Sequence, residues 1–92
     1  MSYHIARENS FKKDIKRCKK RNYNFDLLKG VVSQLTKNGK LSLKNVPHKL
    51  SGRYKGHWEC HIKPDWLLIW WQNEENKTIT LVRTGTHSHL FG

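Results

Sequence analysis

Five histidines, one aspartate and one arginine crowd the C-terminal half of the chain: His48, His57, His61, Asp65, Arg83, His87 and His89. Such a set holds the parts needed to cut RNA without a metal. A base must take the proton of the 2′-OH, an acid must protonate the departing 5′-oxygen, and a cation must stabilise the charge building on phosphorus. Histidine suits both proton tasks because its ordinary pKa, roughly 6.5, lies near working pH. Arginine suits the third because its planar fork matches phosphate oxygens. The histidines also admit a metal reading. His57 and His61 fall on one strand face, His87 and His89 are close in sequence, and imidazole is a common zinc ligand. No cysteine cluster or acidic pocket accompanies them.

The charge balance points the same way. Lys and Arg number 18 against 7 Asp and Glu, a net charge of +11 with His neutral. Polyphosphate backbones are the partner class that best matches such an excess, because each neutralised phosphate releases condensed counterions. Two cysteines, Cys18 and Cys60, make neither a disulfide framework nor a zinc motif. The longest apolar run, Trp66 to Trp71, is far too short to span a bilayer. No signal-peptide stretch follows Met1. The expectation is a single domain over 1–92, reduced, cytoplasmic and without a membrane partner.

Those residues need a scaffold. Ser2 to Arg7 suits an edge strand. Asn9 and Ser10 offer a helix cap, and Phe11, Ile15 and Cys18 follow at helical spacing. The rest of that helix is cationic, with Asp14 the lone acid among Lys12, Lys13, Lys16, Arg17, Lys19, Lys20 and Arg21. Asn24 caps a second helix whose buried stripe is Phe25, Leu28, Val32 and Leu35, thickened by Leu27 and Val31, and Asn38-Gly39 ends it. The two helices form an antiparallel hairpin. From His57 to Lys63 the pattern alternates, with Trp58, Cys60 and Ile62 opposed to His57, Glu59, His61 and Lys63. Pro64-Asp65 makes a turn, Trp66 to Gln72 reads as a central strand, Asn73 to Asn76 is the next turn, and Lys77 to Thr84 is a last strand. This is an α+β protein: an antiparallel sheet of about four to five strands, with an N-terminal helical hairpin packed on one face and the other face free for a ligand. Arg83 poses a difficulty. By parity it shares a side with Ile79 and Leu81, which look like core. Either a bulge re-aims it, or the strand ends before it, or Ile79 and Leu81 face the cleft.

The segments Tyr54-Lys-Gly56, His61-Ile-Lys-Pro-Asp-Trp66, Arg83-Thr-Gly-Thr-His87 and Leu90-Phe-Gly92, with His48-Lys-Leu-Ser-Gly52 before them, resemble the YafQ-like branch of the RelE toxin superfamily. The resemblance covers about half the chain at the level of motifs. It implies a RelE-like, microbial-RNase-like fold. It implies a type II toxin that enters the ribosomal A site, contacts rRNA and cleaves mRNA there, without a metal or other cofactor. It also implies a cognate antitoxin partner. Carried over residue by residue, His48, His61, Asp65 and His87 match the acid–base set, Arg83 the phosphate-binding arginine, and Phe91 a C-terminal aromatic near the RNA. Trp66 lies in the matching turn as a support for Asp65. Plainer readings stand beside these: Asp65 as a turn residue, Phe91 as a pin for the C-terminus, His57 and His89 as surface residues or RNA contacts, and the four tryptophans mostly as core. The rival function is a basic RNA- or ribosome-binding translation inhibitor that does not cut.

Overall fold

One strand, two helices and then a run of strands follow one another as the patterning requires, and a computed structural model describes residues 2–92. In chain order the elements are β1 (His4–Arg7), α1 (Asn9–Lys20), α2 (Phe25–Asn38), β2 (His48–Lys49), β3 (Trp58–Lys63), β4 (Trp66–Asn73), β5 (Thr78–Gly85) and α3 (His87–Phe91). They build a five-stranded sheet in the order β1-β5-β4-β3-β2. Strands β2 to β5 are antiparallel neighbours, whereas β1 lies parallel to β5. The sheet is therefore mixed rather than wholly antiparallel. The difference has a simple origin: β1 is the one strand that is not joined to its sheet neighbour by a hairpin, and a parallel pair needs a long connection. Among the described residues no helix is long and apolar enough to cross a membrane.

The helices cover one face. Phe11 from α1 and Leu28, Val31 and Leu35 from α2 pack on Cys60, Trp66, Leu68, Trp70, Ile79 and Leu81 from the sheet. Val31 belongs to the buried stripe, while Leu27 is 38% exposed. Helix α2 starts at Asn24, whose side chain accepts from the Asp26 N–H, and ends at Gly39 with φ 65°, the left-handed close expected there. Helix α1 begins differently from the expectation. Glu8 occupies the cap without a side-chain bond, and Ser10, inside the first turn, donates to the Val82 carbonyl at 2.7 Å.

The opposite face is not left bare. Tyr54, Leu67, Ile69, Val82 and Leu90 form a second, smaller cluster, with Leu50 against it. Helix α3 closes over that cluster, its cap Thr86 accepting from the His89 N–H. Both cysteines are free and buried, and burial, with Glu59 nearby, pushes the Cys60 thiol up to about 12.

Leu68 is fully buried between the helices and the sheet, whereas Leu27 lies at the rim. Leu68→Ala is expected to cost about 2–5 kcal/mol through lost transfer energy and the cavity it leaves. Leu27→Ala is expected to cost less than about 1 kcal/mol. Urea unfolding of the two variants checks the contrast.

Candidate active site

A bulge brings Arg83 to the site face. Strand β5 pairs Ile69 with Arg83 but Trp70 with Leu81, so Val82 is the extra residue. Before it, Ile79 and Leu81 face the helices; after it, Arg83 stands opposite Ile69, on the side of the second cluster. This resolves the parity difficulty in favour of a re-aimed side chain. The row across the sheet then reads His48, Glu59, Ile69, Arg83, and the next row contains His61, Leu67 and Gly85. With strands about 4.8 Å apart, the Cα atoms of His48 and Arg83 are roughly 14 Å apart across that row.

Arg83 is held by Asp14 of α1. Its Nε donates to Asp14 Oδ2 at 2.7 Å and its Nη2 to Oδ1 at 3.2 Å. A third bond, from Nη1, goes to the Tyr54 hydroxyl at 3.3 Å. The guanidinium carries five N–H groups, so this pairing orients it and leaves donors for a phosphate. Asp14 is only 2% exposed. It also accepts from the Thr84 N–H at 3.0 Å and from Arg17 at 2.9 Å. Burial pushes its carboxyl up, but the hydrogen bonds from Arg83, Thr84 and Arg17 outweigh that and hold it below its ordinary value. The same bond to Asp14 makes Arg83 harder still to deprotonate.

Aromatic rings extend the site from Arg83. Tyr54 meets Phe91 edge to face at 5.9 Å, and Phe91 lies 5.1 Å from the His87 ring. On its other side Tyr54 touches His57 at 5.8 Å, and His57 leans on Trp71 at 5.1 Å. His57 is therefore half-buried between rings rather than a surface residue. Phe91 and Trp71 remain 41% and 44% exposed, enough to offer a face to a base.

Asp65 joins His87 through the backbone: its Oδ1 accepts from the His87 N–H at 3.0 Å. The β3–β4 turn is thus tied to the first turn of α3, and the carboxylate stands beside the exposed His87. His61 is partly buried at the end of β3, with Nδ1 3.1 Å from the Pro64 carbonyl. A carbonyl only accepts, so Nδ1 carries a proton and the neutral ring presents Nε2 as its lone-pair nitrogen. His48 is exposed at the sheet edge, with Nδ1 2.9 Å from the Val46 carbonyl and Nε2 3.2 Å from Glu59 Oε1. Trp66 does not reach out to support Asp65 by a hydrogen bond. It is buried between Tyr23 and Phe25 and donates to Thr84 Oγ1 at 2.9 Å. His89 is exposed on α3.

Three contributors escaped the sequence reading. Asp14 had a signal, as the one acid in a cationic helix. Tyr54 was visible only as part of a motif. Glu59 was assigned to the polar side of its strand without a role. Among the described residues no group of three or more His, Cys, Asp or Glu side chains is arranged to hold a metal ion. The exposed cations of α1, Lys12, Lys13, Lys16, Lys19 and Lys20, supply a basic surface on the helical side.

Asp14 gives the fold a defined acid sensitivity. Its folded pKa lies below the ordinary 3.8, so its contribution is complete above that value and is lost as the pH falls below it. Breaking a buried pair costs about 3–5 kcal/mol, and the partial exposure of both arginines moves Asp14→Asn toward about 2–3 kcal/mol. Urea unfolding at neutral pH is expected to show that loss. Below pH 3.8 the gap between Asp14→Asn and the parent should narrow.

The family model described as the bacterial toxin of a type II toxin–antitoxin system, YafQ, matches residues 3–92. The mRNA interferase toxin YafQ of Escherichia coli K12 is 37% identical over 90 residues, covering 96% of this chain and 95% of that protein. YafQ in the crystal structure of the E. coli DinJ-YafQ toxin–antitoxin complex superposes with a TM-score of 0.89 at 33% identity, covering all of both chains. A metal-bound toxin from Helicobacter pylori superposes at 0.88 with 38% identity, covering 99% of this chain and 100% of that one. A match across nearly the whole sequence, joined to the same fold, places this chain in the YafQ family of bacterial type II toxins.

Proposed function

We propose that this toxin is a ribosome-dependent mRNA endoribonuclease that cuts by attack of the 2′-oxygen on the adjoining phosphate. The observation that carries the reading is the run Asp14–Arg83–Tyr54–Phe91–His87: a fixed cation, an aromatic face and an exposed imidazole in continuous contact. The similar E. coli protein is named an mRNA interferase, which supports RNA as the substrate. The excess of cations and the exposed lysines of α1 support docking on rRNA, in the A site. A cognate antitoxin is the expected protein partner, by analogy with the DinJ-YafQ complex.

In this mechanism Arg83 holds the scissile phosphate and stabilises the charge that develops on it. Its fixed orientation matters because a preorganised donor needs no rearrangement at the moment of reaction. Phe91 stacks on a neighbouring base. Asp65, with His61 or His48, takes the 2′-OH proton. His87 gives a proton to the departing 5′-oxygen. The products are a 2′,3′-cyclic phosphate and a 5′-OH end. All these parts are side chains, so the reaction is expected to proceed with a chelator present.

Expression of the wild type and His87→Ala in growing bacteria, with new mRNA 5′ ends mapped, tests the reading. New 5′-OH ends in phase with codons are expected for the wild type. In a purified assay His87→Ala should cut about 10²–10⁴ times more slowly while still binding RNA. Arrest without new ends would favour a ribosome-binding inhibitor, and 5′-phosphate ends would sink the mechanism.

A further inference from the structure

His48 and His61 look equivalent as candidate bases, but their hydrogen bonds differ. Each directs Nδ1 at a backbone carbonyl, Val46 for His48 and Pro64 for His61. Each Nδ1 therefore carries a proton. The neutral form of either ring would have its lone pair on Nε2. In His48 that nitrogen faces Glu59 Oε1 at 3.2 Å. A lone pair and a carboxylate oxygen do not attract one another across that distance, so a proton lies between them. With the proton on the ring the contact is a charge-assisted hydrogen bond, the stronger of the two arrangements.

Glu59 is suited to this task. It is 5% exposed and lies on the site face of β3, directly between His48 of β2 and Ile69 of β4. Its other oxygen, Oε2, is buried without a partner, so its pairing is spent on His48. The remaining charged or titratable groups on this face are His57, just before β3, His61 of β3, Arg83 of β5 and Tyr54. From β4 come only the apolar Leu67, Ile69 and the Trp71 ring. No other carboxylate on the sheet competes for the His48 ring.

We propose that Glu59 is a positioning residue that keeps His48 as an imidazolium, so that His48 serves the cleavage reaction as a cation and not as its base. The inference rests on the ribonuclease reading above and narrows it. The 2′-oxygen bonds to phosphorus while its proton passes to His61 Nε2 or to Asp65. The bond from phosphorus to the 5′-oxygen breaks, and that oxygen takes its proton from His87. His48 keeps both ring protons throughout and adds a second positive charge, at the opposite end of the sheet row from Arg83.

Two measurements test this. The first is the ¹⁵N spectrum of the histidine rings in the purified toxin at neutral pH. Both ring nitrogens of His48 should be protonated in the wild type, and only one in Glu59→Gln. A singly protonated His48 in the wild type would overturn the proposal. The second is cleavage by His48→Gln and His48→Lys on programmed ribosomes, with urea unfolding as the control for folding. His48→Gln should lower kcat by about 10²-fold, the usual effect of losing one preorganised donor, and His48→Lys should recover about ten-fold of that with KM little changed. Lysine as inactive as glutamine would return His48 to the role of base. If Glu59→Gln does not fold, the wild-type spectrum and the two His48 variants still decide. A wild type that cuts no RNA would sink the ribonuclease reading, while the spectrum would still answer for the pair.

Discussion

One buried carboxylate joins the two halves of this molecule. Strand β1 pairs β5 only as far as Leu81, so the edge of β5 beyond that point needs other partners. Helix α1 supplies them: the Glu8 N–H donates to the Leu81 carbonyl, Ser10 to the Val82 carbonyl, and Asp14 accepts from the Thr84 N–H. A helix side thus finishes an unpaired strand edge, one of the ways proteins keep such edges from pairing with other chains. The same Asp14 fixes the guanidinium of Arg83. Closure of that edge and the orientation of Arg83 both draw on this side chain. Removing it would loosen the edge and leave Arg83 free to rotate.

The bulge at Val82 serves the same end. A regular strand would bury Arg83 under the helices with Ile79 and Leu81. One extra residue lets β5 contribute two leucine-sized positions to one core, a valine to the other, and an arginine to the site face. Helix α3 then returns over that face, with Leu90 buried beneath it and His87 and Phe91 turned outward. That face of the sheet is therefore a thin apolar layer with polar groups at its margins, not an open sheet surface.

Much of this was legible in the sequence. The apolar run from Trp66 to Gln72 marks the central strand because only a strand covered on both sides tolerates it. The stripe of α2 and the close at Gly39 follow from helical period and backbone freedom. The motifs around Asp65, Arg83 and His87 pointed to the family. What stayed hidden depends on contacts between distant residues. Nothing local to Arg83 distinguishes a bulge from a strand end, because the decision lies in its pairing with Ile69 and with Asp14, 69 residues away. The parallel placement of β1 was hidden for the same reason. Helix α3 was missed because five residues are too few to show a period, although Thr86 is a good cap. Glu59 read only as a residue on the polar side of its strand, since alternation gives a side but not the depth at which it sits.

The span between Asp14 and Arg83 has a consequence for how the toxin is made. During synthesis α1 leaves the ribosome early, with its carboxylate lacking a partner. The β5 edge and Arg83 follow only after β2, β3 and β4, and α3 later still. Neither the first strand nor the guanidinium can take its place until that later segment has emerged, because their partners do not exist before then. Arg83 thus acquires its orientation late, only once β5 can reach back to the carboxylate of α1.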